Sequence, residues 1–192
     1  MQTKDHRFLG CYILNKFYSD LDCISRKLFL LGCVEPDWNV VTYVRGSLKY
    51  QFMRGHNALN AEKHFKHIVM KLRKVGVNTP VGWFRLGAAL HYLADSFTFA
   101  HNSFFSGNLS EHRLYEQYLH YVFTKYLLKE HTECLTIDEK CHERYINDSR
   151  SYLIDCKYIV GTALALCREF NMRTSANIGS VPDEKSYLYG KI

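Results

Sequence analysis

No two cysteines in this chain are spaced as CxxC, although there are seven of them, at positions 11, 23, 33, 134, 141, 156 and 167. That spacing argues against a cysteine-only zinc site. The odd count and the apolar settings of several of them suit free thiols acting as small hydrophobes in a reducing compartment. No run of about 18 apolar residues occurs, so no membrane-spanning helix is expected. The opening MQTKDHRFLGCYILNKF has neither a long apolar core nor a small-residue cleavage site, and so makes a poor signal peptide. A cytoplasmic protein is therefore the default expectation, with secretion after processing as the alternative. There is no internal repeat, low-complexity tract or interdomain linker. Lysine and arginine outnumber aspartate and glutamate by only six and are scattered, apart from a small cluster at Lys71, Arg73 and Lys74. That excess is weaker than nucleic-acid binders usually carry, and no stable nucleic-acid partner is expected. It leaves room for an anionic substrate or a peripheral membrane contact.

Within 192 residues, 47% of them hydrophobic and 15% aromatic, there is enough apolar material for one globular core. Helical periodicity dominates, and no stretch offers a partner to the one strand-like segment, VVTYV at 40–44. The spacing predicts helices over 5–18, 20–33, 60–75, 79–99, 111–129, 138–146 and 151–170, with loop plus helix over 39–53. Asp5, Thr79 with Pro80, and Ser110 serve as start signals. Gly32, Pro36 and Gly76 serve as stops. Gly87, Ala88 and Ala89 allow another helix to approach the central one closely. The expected architecture is an all-α, single-domain multi-helix bundle over 1–172, with a loosely held tail over 173–192.

The stretch 86–116, LGAALHYLADSFTFAHNSFFSGNLSEHRLYE, concentrates the chemistry. His91 and Asp95 are four apart, and so are His112 and Glu116. Residues at that spacing share one helix face, so each pair can aim two ligand groups at one point. Their neighbours are apolar or aromatic, where ionisable groups are rarely buried unless paired or metal-bound. Imidazole and carboxylate together suit zinc. On an unbroken helix His101 would point away from His91 and Asp95, so it either serves a different metal or is redirected by a kink. Elsewhere the plain explanations come first. Taken alone, His6 reads as a surface residue near a chain end, Asp37 as a cap and Trp38 as packing. His64 and His67 fall on a solvated, lysine-rich face, and His120 reads as structural or exposed. His131 and His142 lack partners at a persuasive spacing, whereas His56, in a constrained Gly-His loop, is the more notable.

The ordered set of His6, Asp37, His56, HYLAD at 91–95, His101-Asn102 and HRLYE at 112–116 resembles the zinc-dependent phospholipase C family and its relatives, the zinc-dependent single-strand nucleases. The resemblance spans roughly residues 5–170 and implies the helical fold of that group, with two or three zinc ions. It implies one ion held by His56, His91 and Asp95, with Asp37 as ligand or general base. It implies a second held by His101, His112 and Glu116. A third would be shared through Asp95 with His6 and the chain's first amine and carbonyl. Three departures stand out: Met1 where secreted members have an N-terminal tryptophan, SFTFAH without a proline before His101, and the expectation of neither a secretory leader nor an added membrane-binding domain.

The implied activity is phosphodiester hydrolysis, with Asp37 and Asp95 in catalytic roles and phospholipid cleavage to diacylglycerol and a phosphorylated head group. Trp38 and Phe52 are candidate walls for a choline-like head group by cation–π contact. The alternatives are the same metal site acting on nucleic acid, and a non-catalytic helical module that keeps zinc for folding.

Overall fold

A computed structural model describes residues 1–38 and 58–178, the latter with backbone only at 58–63 and 173–178. Among the described residues there are seven α-helices and no strands: α1 Thr3–Phe17, α2 Cys23–Trp38, α3 Ala58–Val75, α4 Pro80–Ser96, α5 Leu109–Leu127, α6 Cys141–Asn147 and α7 Tyr152–Ile178. A single 3-10 turn, Phe99–His101, follows α4. The all-α expectation holds, and no described helix is long and apolar enough to cross a membrane.

Helix α4 is the hub of the bundle. It packs most extensively on α2 and α3 and also meets α7 and α1. Leu86, Ala89, Leu90 and Leu93 are buried along it, against Leu9 and Ile13 of α1, Phe29 and Cys33 of α2, and Ile159, Leu164 and Phe170 of α7. Each large side chain so buried contributes about 1.5–3 kcal/mol over leaving it in water. Thr79 starts the helix as read from the sequence. Its hydroxyl accepts from the Gly82 N–H at 3.0 Å, with Pro80 in the first turn.

The close approach expected of Gly87 is to α2. A Cβ there would lie 2.0 Å from the Phe29 carbonyl oxygen, and one at Gly32 would lie 2.0 Å from that of Phe84. The two glycines therefore let two backbones meet where no other residue fits. Gly32 is thus a contact point inside α2 and not its terminator. Pro36 does not end the helix either, which continues to Trp38 without the intrahelical donor that proline lacks. Helix α2 consequently carries Asp37 and Trp38 in its last turn instead of in a following loop. It begins after Asp22, whose Oδ1 accepts from the N–H groups of Ile24 and Ser25.

Other boundaries differ from the sequence expectation as well. Helix α1 starts at Thr3, so Asp5 lies in its first turn and Gln2, not Asp5, is the N-cap. Asn108 caps α5 in place of Ser110. Its side chain accepts from the N–H groups of Ser110 and Glu111, while the Glu111 carboxylate accepts from the Asn108 N–H. Helix α7 runs on to Ile178, past the expected end near 170.

Candidate metal centre

Helix α4 ends three residues early, at Ser96, and that break builds the site. The chain turns through Thr98, whose hydroxyl donates back to the Ala94 carbonyl at 3.1 Å, into the 3-10 turn that carries His101. Of the two possibilities for His101, redirection and membership of a second cluster, the structure shows both together. Its Nδ1 comes within 3.5 Å of Asp95 Oδ2, while its Nε2 faces Glu116 Oε1 at 3.2 Å.

His91 and Asp95 stand one turn apart on α4, both 1% exposed. His6 reaches them from α1 and is equally buried, so the surface reading of that residue does not hold. Its ring stacks on that of His91, with centroids 3.8 Å apart. His91 Nδ1 lies 2.9 Å from the Cys33 carbonyl oxygen on α2. A carbonyl only accepts, so Nδ1 carries the proton and Nε2 is the nitrogen turned to the site. Nε2 faces Asp95 Oδ2 at 3.3 Å and Asp37 Oδ1 at 3.6 Å.

His112 and Glu116, one turn apart on α5, face His101. Glu116 Oε1 lies 3.3 Å from His112 Nε2 and 3.2 Å from the Met1 amine. That amine also donates to Asp95 Oδ1 at 3.0 Å and lies 3.0 Å from His101 Nε2. Asp95 therefore joins the two halves of the site. Its Oδ1 meets Met1 and His6 (3.2 Å), and its Oδ2 meets His91 and His101. Two sets each bring three ligand atoms within 4.8 Å of one another: His6, His91 and Asp95, and His101, His112 and Glu116.

Electrostatics follow from burial and from this crowding of imidazoles on carboxylates. Burial and the neighbouring His91 ring push the His6 imidazole down to about 4. Burial also opposes charge on His91 and His101, but the Asp95 carboxylate outweighs it and raises both above the ordinary histidine value. Burial likewise opposes charge on the Met1 amine, which Asp95 and Glu116 lift to about 10. Against their own burial, Asp95 and Glu116 are held well below the usual carboxylate range by the surrounding nitrogens.

Buried polar atoms test whether a cation fits. Both ring nitrogens of His6, Asp37 Oδ2, Asp95 Oδ2 and His101 Nδ1 are buried without a hydrogen-bond partner among the described residues. Leaving one such atom unmatched costs about 1–3 kcal/mol, so several converging around Asp95 mark a place prepared for an ion. Imidazole with carboxylate is a zinc-type donor set. The Nδ1 bond of His91 to a backbone carbonyl is the outer support that metal-ligating histidines usually have.

Seven of the eight residues expected to bind metal therefore converge, while His56, like Phe52, lies outside the described residues. Trp38, beside Asp37, is 67% exposed. His64 and His67 are exposed, as expected, although the His64 ring stacks on Tyr92. His120 pairs with buried Asp5. His131 binds the Tyr126 carbonyl and His142 the Ser96 carbonyl and Asn102. The Cys33 carbonyl went unforeseen, because a backbone acceptor leaves no mark in a sequence.

Imidazoles and carboxylates from several segments of a helical scaffold thus form two neighbouring groups that could each hold a metal ion, with Asp95 in contact with residues of both. The chain belongs to the zinc-dependent phospholipase C family, whose model matches residues 6–160. Comparison with curated proteins and with solved structures gives no match.

One pH effect follows. Against their burial, Asp95 holds the His91 and His101 imidazoles above the ordinary histidine value in the metal-free protein, which favours their protonated forms in mildly acidic buffer. Zinc binds the neutral ring, so uptake there is expected to release protons, and affinity is expected to rise with pH. Calorimetric titration in two buffers of different ionisation enthalpy measures the release. An affinity independent of pH between 6 and 8 would contradict the assignment.

Proposed function

We propose that this protein is a zinc-dependent phosphodiester hydrolase of phospholipase C type, cleaving a phospholipid to diacylglycerol and a phosphorylated head group. The observation that carries the proposal is the position of Asp95, one carboxylate facing four nitrogens from α1, α4, the 3-10 turn and the chain's first residue. A carboxylate so placed suits a bridge between neighbouring cations. His91, Asp95 and Asp37, with His56, would hold one ion, and His101, His112 and Glu116 a second. His6 and the Met1 amine, both on Asp95 Oδ1, are the groups available to a third. Bound zinc supplies acidity that brings water towards a pKa of ~7 and positive charge opposite the phosphoryl oxygens.

The remaining work falls to the chain. The Cys33 carbonyl fixes the His91 ring, and the stacked His6 ring holds it from the other side. Asp37 Oδ2, buried and without a hydrogen-bond partner among the described residues, would accept the proton of the attacking water. Attack forms a bond from the water oxygen to phosphorus and breaks the bond to the glycerol oxygen, which leaves with a proton. Two divalent ions outweigh three carboxylates, so the loaded site suits an anionic diester. The exposed Trp38 ring offers a face to a quaternary ammonium head group, with Phe52 as its suggested companion.

The test is elemental analysis followed by a substrate panel. Two or three zinc ions per chain and hydrolysis of a chromogenic phosphocholine diester are expected, with His91→Ala inactive. Cleavage of single-stranded DNA alone would replace the lipid reading with a nuclease. Bound zinc with no cleavage of the diester, a bis-aryl phosphate or DNA would leave a zinc-stabilised helical module.

A further inference from the structure

Asp155 lies in the first turn of α7 and is 3% exposed, and its hydrogen bonds among the described residues go to no candidate metal ligand. It accepts from three donors on three other elements. Oδ2 takes the Phe99 N–H at 3.0 Å and the Tyr115 hydroxyl, and Oδ1 takes the Tyr145 hydroxyl at 2.8 Å. Two of these donors sit beside the site. Phe99 opens the 3-10 turn that presents His101, and Tyr115 immediately precedes Glu116, three residues after His112. Tyr145 belongs to α6, which supplies no site residue.

A carboxylate in a helix's first turn is favoured by the helix dipole, and a purely structural role would need nothing more. The choice of donors goes beyond that. The turn carrying His101 and the helix carrying His112 and Glu116 are joined to each other through one buried anion. Burial pushes the Asp155 carboxyl up, while Tyr115, Phe99 and Tyr145 pull it back towards the charged form.

We infer that Asp155 is a positioning residue for the His101, His112 and Glu116 cluster, fixing the 3-10 turn against α5 through Phe99 and Tyr115. This rests on the reading of that cluster as a zinc site. It implies that the two halves of the centre have separate supports: Cys33 for the His91 half and Asp155 for the His101 half.

The variants are Asp155→Asn, Tyr115→Phe and Tyr145→Phe. Asp155→Asn removes the charge and leaves one oxygen for three donors, so each bond is weakened and at least one must be lost or reverse its direction, while Tyr115→Phe removes a single bond with less disturbance. After dialysis against a chelator, Asp155→Asn and Tyr115→Phe are expected to lose one zinc, as His112→Ala does. Their affinity at that position should be lower by roughly 10–100-fold. Tyr145→Phe should keep the full complement.

Hydrogen exchange on the metal-free proteins gives a second readout. Amides in 97–105 and 109–118 should exchange roughly tenfold faster in Asp155→Asn and Tyr115→Phe, with 86–95 unchanged. Equal effects of Tyr145→Phe and Tyr115→Phe, or uniform loosening of all three segments, would make Asp155 a general core residue and overturn the inference. If the wild-type protein binds no zinc, the hydrolase reading fails, and the exchange pattern still decides whether Asp155 holds the turn.

Discussion

Asp95→Asn is expected to lower diester hydrolysis by at least roughly 10²–10³-fold, the scale of losing one preorganised charge at a reacting phosphoryl group. It should also loosen metal in both halves of the site. The amide keeps the shape of the side chain but removes the negative charge that four nitrogens share. His112→Ala, by contrast, should empty only the cluster on α5. The metal-free Asp95→Asn protein should be less stable as well. The Met1 ammonium and the charged forms of His91 and His101 would lose their buried counter-ion, and removing one partner of a buried ion pair costs about 3–5 kcal/mol. Zinc content per chain, steady-state kinetics and thermal unfolding of the metal-free proteins measure the three effects separately. Full zinc retention by Asp95→Asn would exclude a bridging role.

Gly87→Ala should destabilise the fold at or above the upper end of the usual cost of overpacking, about 1–3 kcal/mol. The added methyl would lie 2.0 Å from the Phe29 carbonyl oxygen and 2.9 Å from the Cys33 nitrogen. Both are backbone atoms of a packed helix, so no side-chain rotation relieves the clash, and α2 must move off α4. The effect should reach the chemistry, because the same interface holds the Cys33 carbonyl 2.9 Å from His91 Nδ1 and brings Asp37 to His91. A lower denaturant midpoint at unchanged slope, with weaker zinc binding in the surviving folded fraction, is the expected result. Gly32→Ala, which meets the Phe84 carbonyl from the other side, should behave the same way. A Gly87→Ala protein with native stability would mean that the two helices do not meet as described.

The helical type of the described elements could be read from periodicity, because apolar spacing survives whatever the helices pack against, whereas the loop and helix expected over 39–53 lie outside the described residues. The paired ligands His91 with Asp95 and His112 with Glu116 were legible for a related reason, since four residues along a helix bring side chains to one face. Helix ends were less so. Pro36 looks like a stop, yet α2 runs two residues past it. Asn108 and Ser110 are both good capping residues, and only the reciprocal bond with Glu111 selects Asn108. The burial of His6 was out of reach of local pattern, since nothing near residue 6 reports that α4 will lie over it. It became legible only through the order of ligands along the whole chain. The support from Cys33 and Asp155 was invisible for the same reason, being tertiary and in one case pure backbone.

The scatter of ligands along the chain also sets an order of manufacture. Helix α1 leaves the ribosome first, but the carboxylate opposite His6 belongs to residue 95 and the second cluster is complete only at residue 116. At about 5–20 residues per second, many seconds of translation separate His6 from its neighbours. On the proposed reading, metal loading therefore waits until α5 has been made, and a nascent fragment that ends before α4 contains neither of the two candidate metal-binding groups.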